Sequence, residues 1–174
     1  SKAAGLGRKA SSFDIFYQEQ PGGGSFIVSV DGERQLRVPT DANSKRSGFV
    51  RVEVDEGPHT LEIRSVGDGI VRLYGAVVET DGPGVVYDTL GMNGGFFNTP
   101  LRWEAEQLAE QVERRSPELV VTMYGTNEAD SRSITPDSYS RKVRRVMERF
   151  LAGAPEAACL MLADARPRAL LVRA

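Results

Sequence analysis

A chain of 174 residues, 40% hydrophobic and 26% charged, carries enough apolar material for one full core or two small ones and has the composition of a folded globular protein. With 22 basic against 24 acidic residues its net charge is -2, and the densest basic run, "RKVRR" at 141–145, reads as a solvated helix face, so nucleic acid is not an expected partner. The single cysteine, Cys159, sits in the apolar run "ACLML" and reads as a small buried hydrophobe; a disulfide framework and a paired-thiolate metal site are excluded, and no apolar run has the length of a membrane span.

From about Ser12 to Glu79 the chain alternates apolar and polar residues in short runs. "SFIVSV" places Phe26, Val28 and Val30 on one side, "FVRVEV" does so with Val50, Val52 and Val54, and "HTLEIRSV" with Leu61 and Ile63. The runs are punctuated by "PGGG" at 21–24, Asp31-Gly32, Glu56-Gly57 and "GDG" at 67–69, which supply the positive φ angles that hairpins need. Five or six half-buried strands without helical periodicity predict a small antiparallel sandwich of jelly-roll type.

After Asp81-Gly82-Pro83 the period changes. "VVYDTL" at 85–90, "LVVTMY" at 119–124 and "ACLMLA" at 158–163 are near-continuous β-favouring runs, as in strands covered on both faces. Between the first two, Thr99 as N-cap and Pro100 at the first helical position open a helix with Leu101, Ala105, Leu108 and Val112 on one stripe. Between the second and third, Thr135-Pro136 opens another, carrying Tyr139, Val143, Val146, Met147 and Phe150. The order β-α-β-α-β predicts a parallel sheet with right-handed crossovers. Ligands of such sheets bind beyond the carboxyl ends of the strands, where the loops "GMNGG", "GTNEAD" and "ADARP" would gather.

The glycines at 94 and 95 let backbone N–H groups approach a ligand without a Cβ in the way, and Asn127 offers a neutral amide donor. Converging neutral donors suit a developing oxyanion in acyl transfer. A phosphate is the weaker reading, because neither a Gly-x-Gly-x-x-Gly fingerprint nor a P-loop is present.

"YDTLGMNGG" followed by "LVVTMYGTNEA" resembles the second and third sequence blocks of the SGNH (GDSL-like) hydrolases, serine esterases of flavodoxin-like fold. The stretch from "KAAGLGRKASSFDIFY" to "HTLEIRSVGDGIVRLYGAVVE" resembles the carbohydrate-binding-module-like sandwich found between the first two blocks in a bacterial subgroup related to peptidoglycan O-acetylesterases. The resemblance implies a fold of class α/β plus all-β: a carbohydrate-binding-module-like jelly-roll sandwich over residues 1–80, then a partial three-layer SGNH domain over 81–174. It further implies that Gly94 gives a backbone donor and Asn127 a side-chain donor to an oxyanion hole.

The family's nucleophile and acid-base pair are not matched. "GDG" at 67–69 has glycine in place of the serine, Asp164 is followed three positions later by Pro167 rather than histidine, and His59 lies in the β-rich part. The chain, which begins at Ser1, is therefore expected to be an interior piece of a serine esterase acting on O-acetyl or related esters of a polysaccharide, inactive alone. The alternative is a non-catalytic glycan-binding module on an α/β scaffold. Expected partners are a carbohydrate or acylated small-molecule substrate, with no cofactor and no metal; an unpaired sheet edge invites self-association, and the resemblance suggests an extracellular or periplasmic setting. Blander roles stand beside these: Gly91, Gly94 and Gly95 as a tight connection, Asn127 as a helix cap, Glu128 as a loop hydrogen-bonder, His59 as a strand-edge residue without a companion ligand or nucleophile, Trp103 as core rather than a sugar platform with Tyr17, and "PGGGS" as a hairpin.

Overall fold

A computed structural model describes residues 9–129 and 134–163. The "ADARP" loop, from Asp164 onward, lies outside the described residues. The chain divides into two compact units, residues 1–86 and 87–174.

The first unit holds six strands: β1 (Ala10–Glu19), β2 (Ser25–Val30), β3 (Glu33–Pro39), β4 (Arg46–Gly57), β5 (Leu61–Ser65) and β6 (Arg72–Glu79). They form two antiparallel sheets, β4-β1-β6 and β3-β2-β5. The alternation read from sequence decides what lies inside. Phe26, Val28 and Val30 of β2 join Phe13, Ile15 and Tyr17 of β1, Val38 and Val52 in one buried core, with Val50, Val54, Leu61 and Ile63 packed against it. Tyr17 meets Phe26 edge-on at 5.2 Å, so its ring is core and not a sugar platform. Burying a side chain such as Phe26 contributes roughly 1.5–3 kcal/mol.

The turns depart from the sequence reading. Only Asp31-Gly32, with φ of 53° and 84°, closes a hairpin between paired strands, at Val30↔Glu33; positive φ at both central residues is the turn that matches strand twist. The "PGGG" run instead carries the chain from one sheet to the other, since β1 and β2 belong to different sheets, and "GDG" likewise joins β5 to β6 across sheets. These glycines serve close approach. A Cβ on Gly23 would lie 2.3 Å from the Thr40 carbonyl oxygen, and one on Gly24 would lie 2.5 Å from that of Gly69.

His59 lies between β4 and β5 and is held there by a carboxylate. Its Nδ1 lies 2.7 Å from Asp31 Oδ2 and its Nε2 2.7 Å from the Asp55 carbonyl oxygen, while the Thr60 N–H donates to Asp31 Oδ1 at 2.7 Å. The group ties the β2–β3 turn to the end of β4 and the start of β5.

The second unit contains a 3-10 turn (Thr99–Arg102), helix α1 (Ala105–Arg115), strand β7 (Leu119–Tyr124), the one-turn α2 (Thr126–Ala129), helix α3 (Pro136–Leu151) and strand β8 (Ala158–Ala163). β7 and β8 pair in parallel from Leu119↔Ala158 to Tyr124↔Ala163. The helix at Thr135 opens as predicted: the Thr135 hydroxyl accepts from the Ser138 N–H at 3.2 Å, and Ser138 Oγ returns the bond to the Thr135 N–H at 3.0 Å. The helix expected from Thr99 is broken. Pro100–Arg102 form a 3-10 turn, Trp103 is extended with ψ 153°, and α1 starts only at Ala105. Arg149 Nη1 donates to the carbonyls of Pro100 at 3.1 Å and Trp103 at 2.6 Å, satisfying acceptors at the break. Trp103 packs against Leu108, Val112 and Ala154, as a core residue should.

Two further expectations fail. Residues 85–90 form no strand, and Val85, Val86, Tyr87 and Leu90 are exposed, because β-favouring side chains make a strand only where a neighbour completes the ladder and none does so here among the described residues. The parallel sheet therefore has two described strands rather than three. Cys159 is exposed rather than buried, although it pairs with Val120 on the same side of the β7-β8 pair as the buried Thr122.

Candidate functional site

β7 ends at Tyr124, and Gly125 turns the chain with φ 125°, a conformation that favours glycine. Asn127 and Glu128 follow at once in α2. This one-turn helix is additional to the one predicted from Thr135, and it places Asn127 inside a helical turn rather than in open loop. The loop 91–98 makes a similar reversal: Gly94 has φ 70°, and the Gly95 N–H closes back on the Met92 carbonyl at 3.0 Å.

The two loops meet. Asn127 Nδ2 donates to the Gly95 carbonyl oxygen at 2.9 Å. The buried Glu128 carboxylate accepts from the Phe97 N–H through Oε1, and from the Gly125 N–H at 3.1 Å through Oε2. Phe97, fully buried, stacks edge-on with Tyr124 at 5.0 Å and Tyr139 at 5.6 Å. Burial, and then the Glu128 charge, push the Tyr139 phenol up to about 12 and also raise that of Tyr124, so both remain hydrogen-bond donors in neutral water.

The two residues singled out by sequence thus lie on loops joined by a direct hydrogen bond. Both Gly94 and Asn127 are exposed to solvent, and the Gly94 N–H has no partner among the described residues. Gly91 is held locally, its N–H donating to Thr89 Oγ1 at 3.3 Å. Glu128 hydrogen-bonds backbone, as the sequence reading allowed; the structure adds that its two donors, the Phe97 and Gly125 N–H groups, lie on separate segments.

A hollow in the first unit, lined by Asp31, Glu33, Gln35, Glu53, Asp55 and His59, is a weaker site for acyl chemistry. His59 has the carboxylate partner of a general base, but its other ring nitrogen is directed at the Asp55 carbonyl and not at a hydroxyl. Among the described residues no cluster of three or more His, Cys, Asp or Glu could hold a metal ion, and no helix is long and apolar enough to cross a membrane.

No protein-family profile matches the chain, and no curated protein matches it. Solved structures do. A peptidoglycan O-acetylesterase superposes with a TM-score of 0.57 at 19% identity, over 87% of this chain and 40% of its own. A family two carbohydrate esterase from Clostridium thermocellum, in complex with cellohexaose, aligns with a TM-score of 0.33 at 11% identity, over 89% of this chain and 68% of its own. A family 2 carbohydrate esterase with a carbohydrate-binding domain from Corynascus thermopiles (Myceliophthora fergusii) gives 0.31 at 13%, over 90% of this chain and 70% of its own. The chain therefore resembles esterase structures in fold, and it spans 40% of the length of the O-acetylesterase.

Proposed function

We propose that this chain supplies the oxyanion-stabilising part of an SGNH-type esterase that removes O-acetyl or related acyl groups from a polysaccharide. The observation that carries the reading is the hydrogen bond from Asn127 to the Gly95 carbonyl, which brings the "GMNGG" and "GTNEA" loops to one place. An amide has two N–H donors. One is spent on Gly95; the other, with the Gly94 N–H, is left for the oxygen of a tetrahedral intermediate. Such donors act because they are already aimed where charge develops, and removing one costs about 10²–10³ in kcat.

The resemblance in fold to a peptidoglycan O-acetylesterase supports an acyl ester on a glycan as substrate. In this reading residues 1–80 are a carbohydrate-binding-module-like sandwich of jelly-roll type and residues 81–174 part of a three-layer hydrolase domain. The serine nucleophile and the Asp-His pair that activates it come from elsewhere, because a serine hydroxyl needs an adjacent base and the only histidine is engaged in the first unit.

The test is hydrolysis of p-nitrophenyl acetate by the chain extended with the coding sequence on either side of it. Turnover that drops about 10²–10³-fold in kcat in Asn127→Ala, with KM little changed, is the expected result. Turnover indifferent to Asn127→Ala refutes the oxyanion assignment. Glycan retention by the sandwich with no hydrolysis in any extended form would support the binding-module reading instead.

A further inference from the structure

We propose that Glu128 is the positioning residue of this site: with Asn127 it grips the glycine loop at two points and fixes where the Gly94 N–H stands. The inference rests on the oxyanion reading above. Residues 127 and 128 are neighbours in α2, and their side chains hold the loop on either side of Phe96, Asn127 at the Gly95 carbonyl and Glu128 at the Phe97 N–H. A loop held at one point can pivot about it; a loop held at two points, with a buried Phe97 ring as its anchor, has that rotation removed. The second carboxylate oxygen accepts from the Gly125 N–H, so the same group also fixes the turn that delivers Asn127. One carboxylate thus bridges the two chain segments that carry the two candidate donors.

The residue type follows from the donor count. Two backbone N–H groups converge on the side chain, which therefore has to be acceptor-only at both ends. A carboxylate meets that demand; a glutamine amide would turn an NH₂ toward one of the two N–H groups, and an aspartate is one methylene shorter. The charge itself does not favour a nearby oxyanion. It is tolerated here because it is screened by the donors it accepts from, and its contribution is geometric.

The experiment uses the ¹⁵N-labelled chain with Glu128→Gln. The expected result is that the Gly94 backbone amide and the Asn127 side-chain amide resonances shift, and that the Phe97 or Gly125 amide exchanges with solvent about tenfold faster, the effect of one lost hydrogen bond, while amides of α3 and of the β1–β6 core stay as in the wild type. Altered Phe97 and Gly125 resonances beside unmoved Gly94 and Asn127 resonances overturn the proposal. If Glu128→Gln does not fold, an acid titration of the wild type replaces it. Among the described residues the titratable neighbours are the phenols of Tyr124 and Tyr139, which stay protonated throughout. Gly94 and Asn127 titrating together with Phe97 and Gly125 supports positioning, and their independence refutes it. Sodium acetate added to the wild type separates this from the functional reading. Acetate that moves neither Gly94 nor Asn127 counts against the oxyanion hole alone, whereas acetate that binds wild type and Glu128→Gln equally counts against the role of Glu128 alone.

Discussion

Replacing Phe97 with alanine is the sharpest perturbation of the second unit, because one ring anchors the glycine loop and fills the space between Tyr124 and Tyr139. The ring is fully buried, and truncating such a residue to alanine costs about 3–5 kcal/mol through lost transfer energy and the cavity left behind. Part of that belongs to the two edge-on ring pairs at 5.0 and 5.6 Å, each worth about 0.5–1.5 kcal/mol beyond buried area. Phe97→Leu keeps most of the apolar volume and loses the ring pairs, so it should cost about 1–3 kcal/mol. Against a total stability of roughly 5–15 kcal/mol for a domain, the alanine variant removes a large share. The only tryptophan, Trp103, lies in the second unit, so urea unfolding followed by its fluorescence reports that unit without interference from the first. The midpoint should fall in the order wild type, Leu, Ala. Equal midpoints for wild type and Phe97→Ala, or a leucine variant as damaged as the alanine one, would refute the anchoring argument.

Gly153→Ala tests the contact between α1 and the end of α3: its Cβ would lie 2.2 Å from the Ala109 carbonyl oxygen and 2.9 Å from Val112 Cβ, and the forced shift should cost about 1–3 kcal/mol in the same fluorescence assay. The His59 group predicts a pH window for the first unit. The bond to Asp31, then that to the Asp55 carbonyl, raise the His59 pKa above its ordinary 6.5, so this stabilisation is full below about 6.5 and lost as pH rises through the folded-state value. The His59 and Thr60 bonds lower that of Asp31, whose contribution is present above about 3.9 and lost as pH falls through its folded-state value. Calorimetric melting of the first unit should therefore hold a plateau between about pH 4 and 6.5. The alkaline limb should flatten in His59→Gln, and the single imidazole resonance should titrate above 6.5 in the folded chain.

Local chemistry was readable where it alone decides the structure. Asp31-Gly32 had to be a hairpin turn because two successive positive φ angles leave few other residue pairs, and Thr135-Pro136 with Ser138 carries its own cap. The inward residues Phe26, Val28, Val30 and Val52 followed from alternation alone. What stayed hidden depends on groups far along the chain. Gly23 and Gly24 look like turn residues in sequence, and only Thr40 and Gly69, brought close by the fold, show that they are points of backbone contact. Helix α1 begins late, and the Trp103 carbonyl left at the break is met by Arg149, 46 residues away. At the candidate site the glycines and Asn127 were visible as a type of chemistry. Glu128 was legible as a backbone hydrogen-bonder but its two donors were not, since they lie on separate segments and nothing local marks them as converging.

The run 85–90 shows the same limit and leads to a prediction about the chain as it stands. Val85 is 97% and Tyr87 84% exposed, although both are residues that strands bury. On the β7-β8 pair, Thr122 is buried while Val121 and Met123 on either side are exposed, and Leu160 and Leu162 of β8 are exposed with them. One side of the pair is covered and the other presents a row of apolar side chains next to strand edges that have no partner among the described residues, the combination that recruits another chain. The chain should therefore self-associate as concentration rises, as sedimentation velocity would show. Met123→Lys places a charge on the uncovered side, where the residue is 74% exposed and touches little that folding requires, so it should return the chain to monomer without lowering the Trp103 unfolding midpoint by more than a few tenths of a kcal/mol. A wild-type chain that stays monomeric across the range would mean that this apolar side is covered in solution, and the argument from exposure would fail.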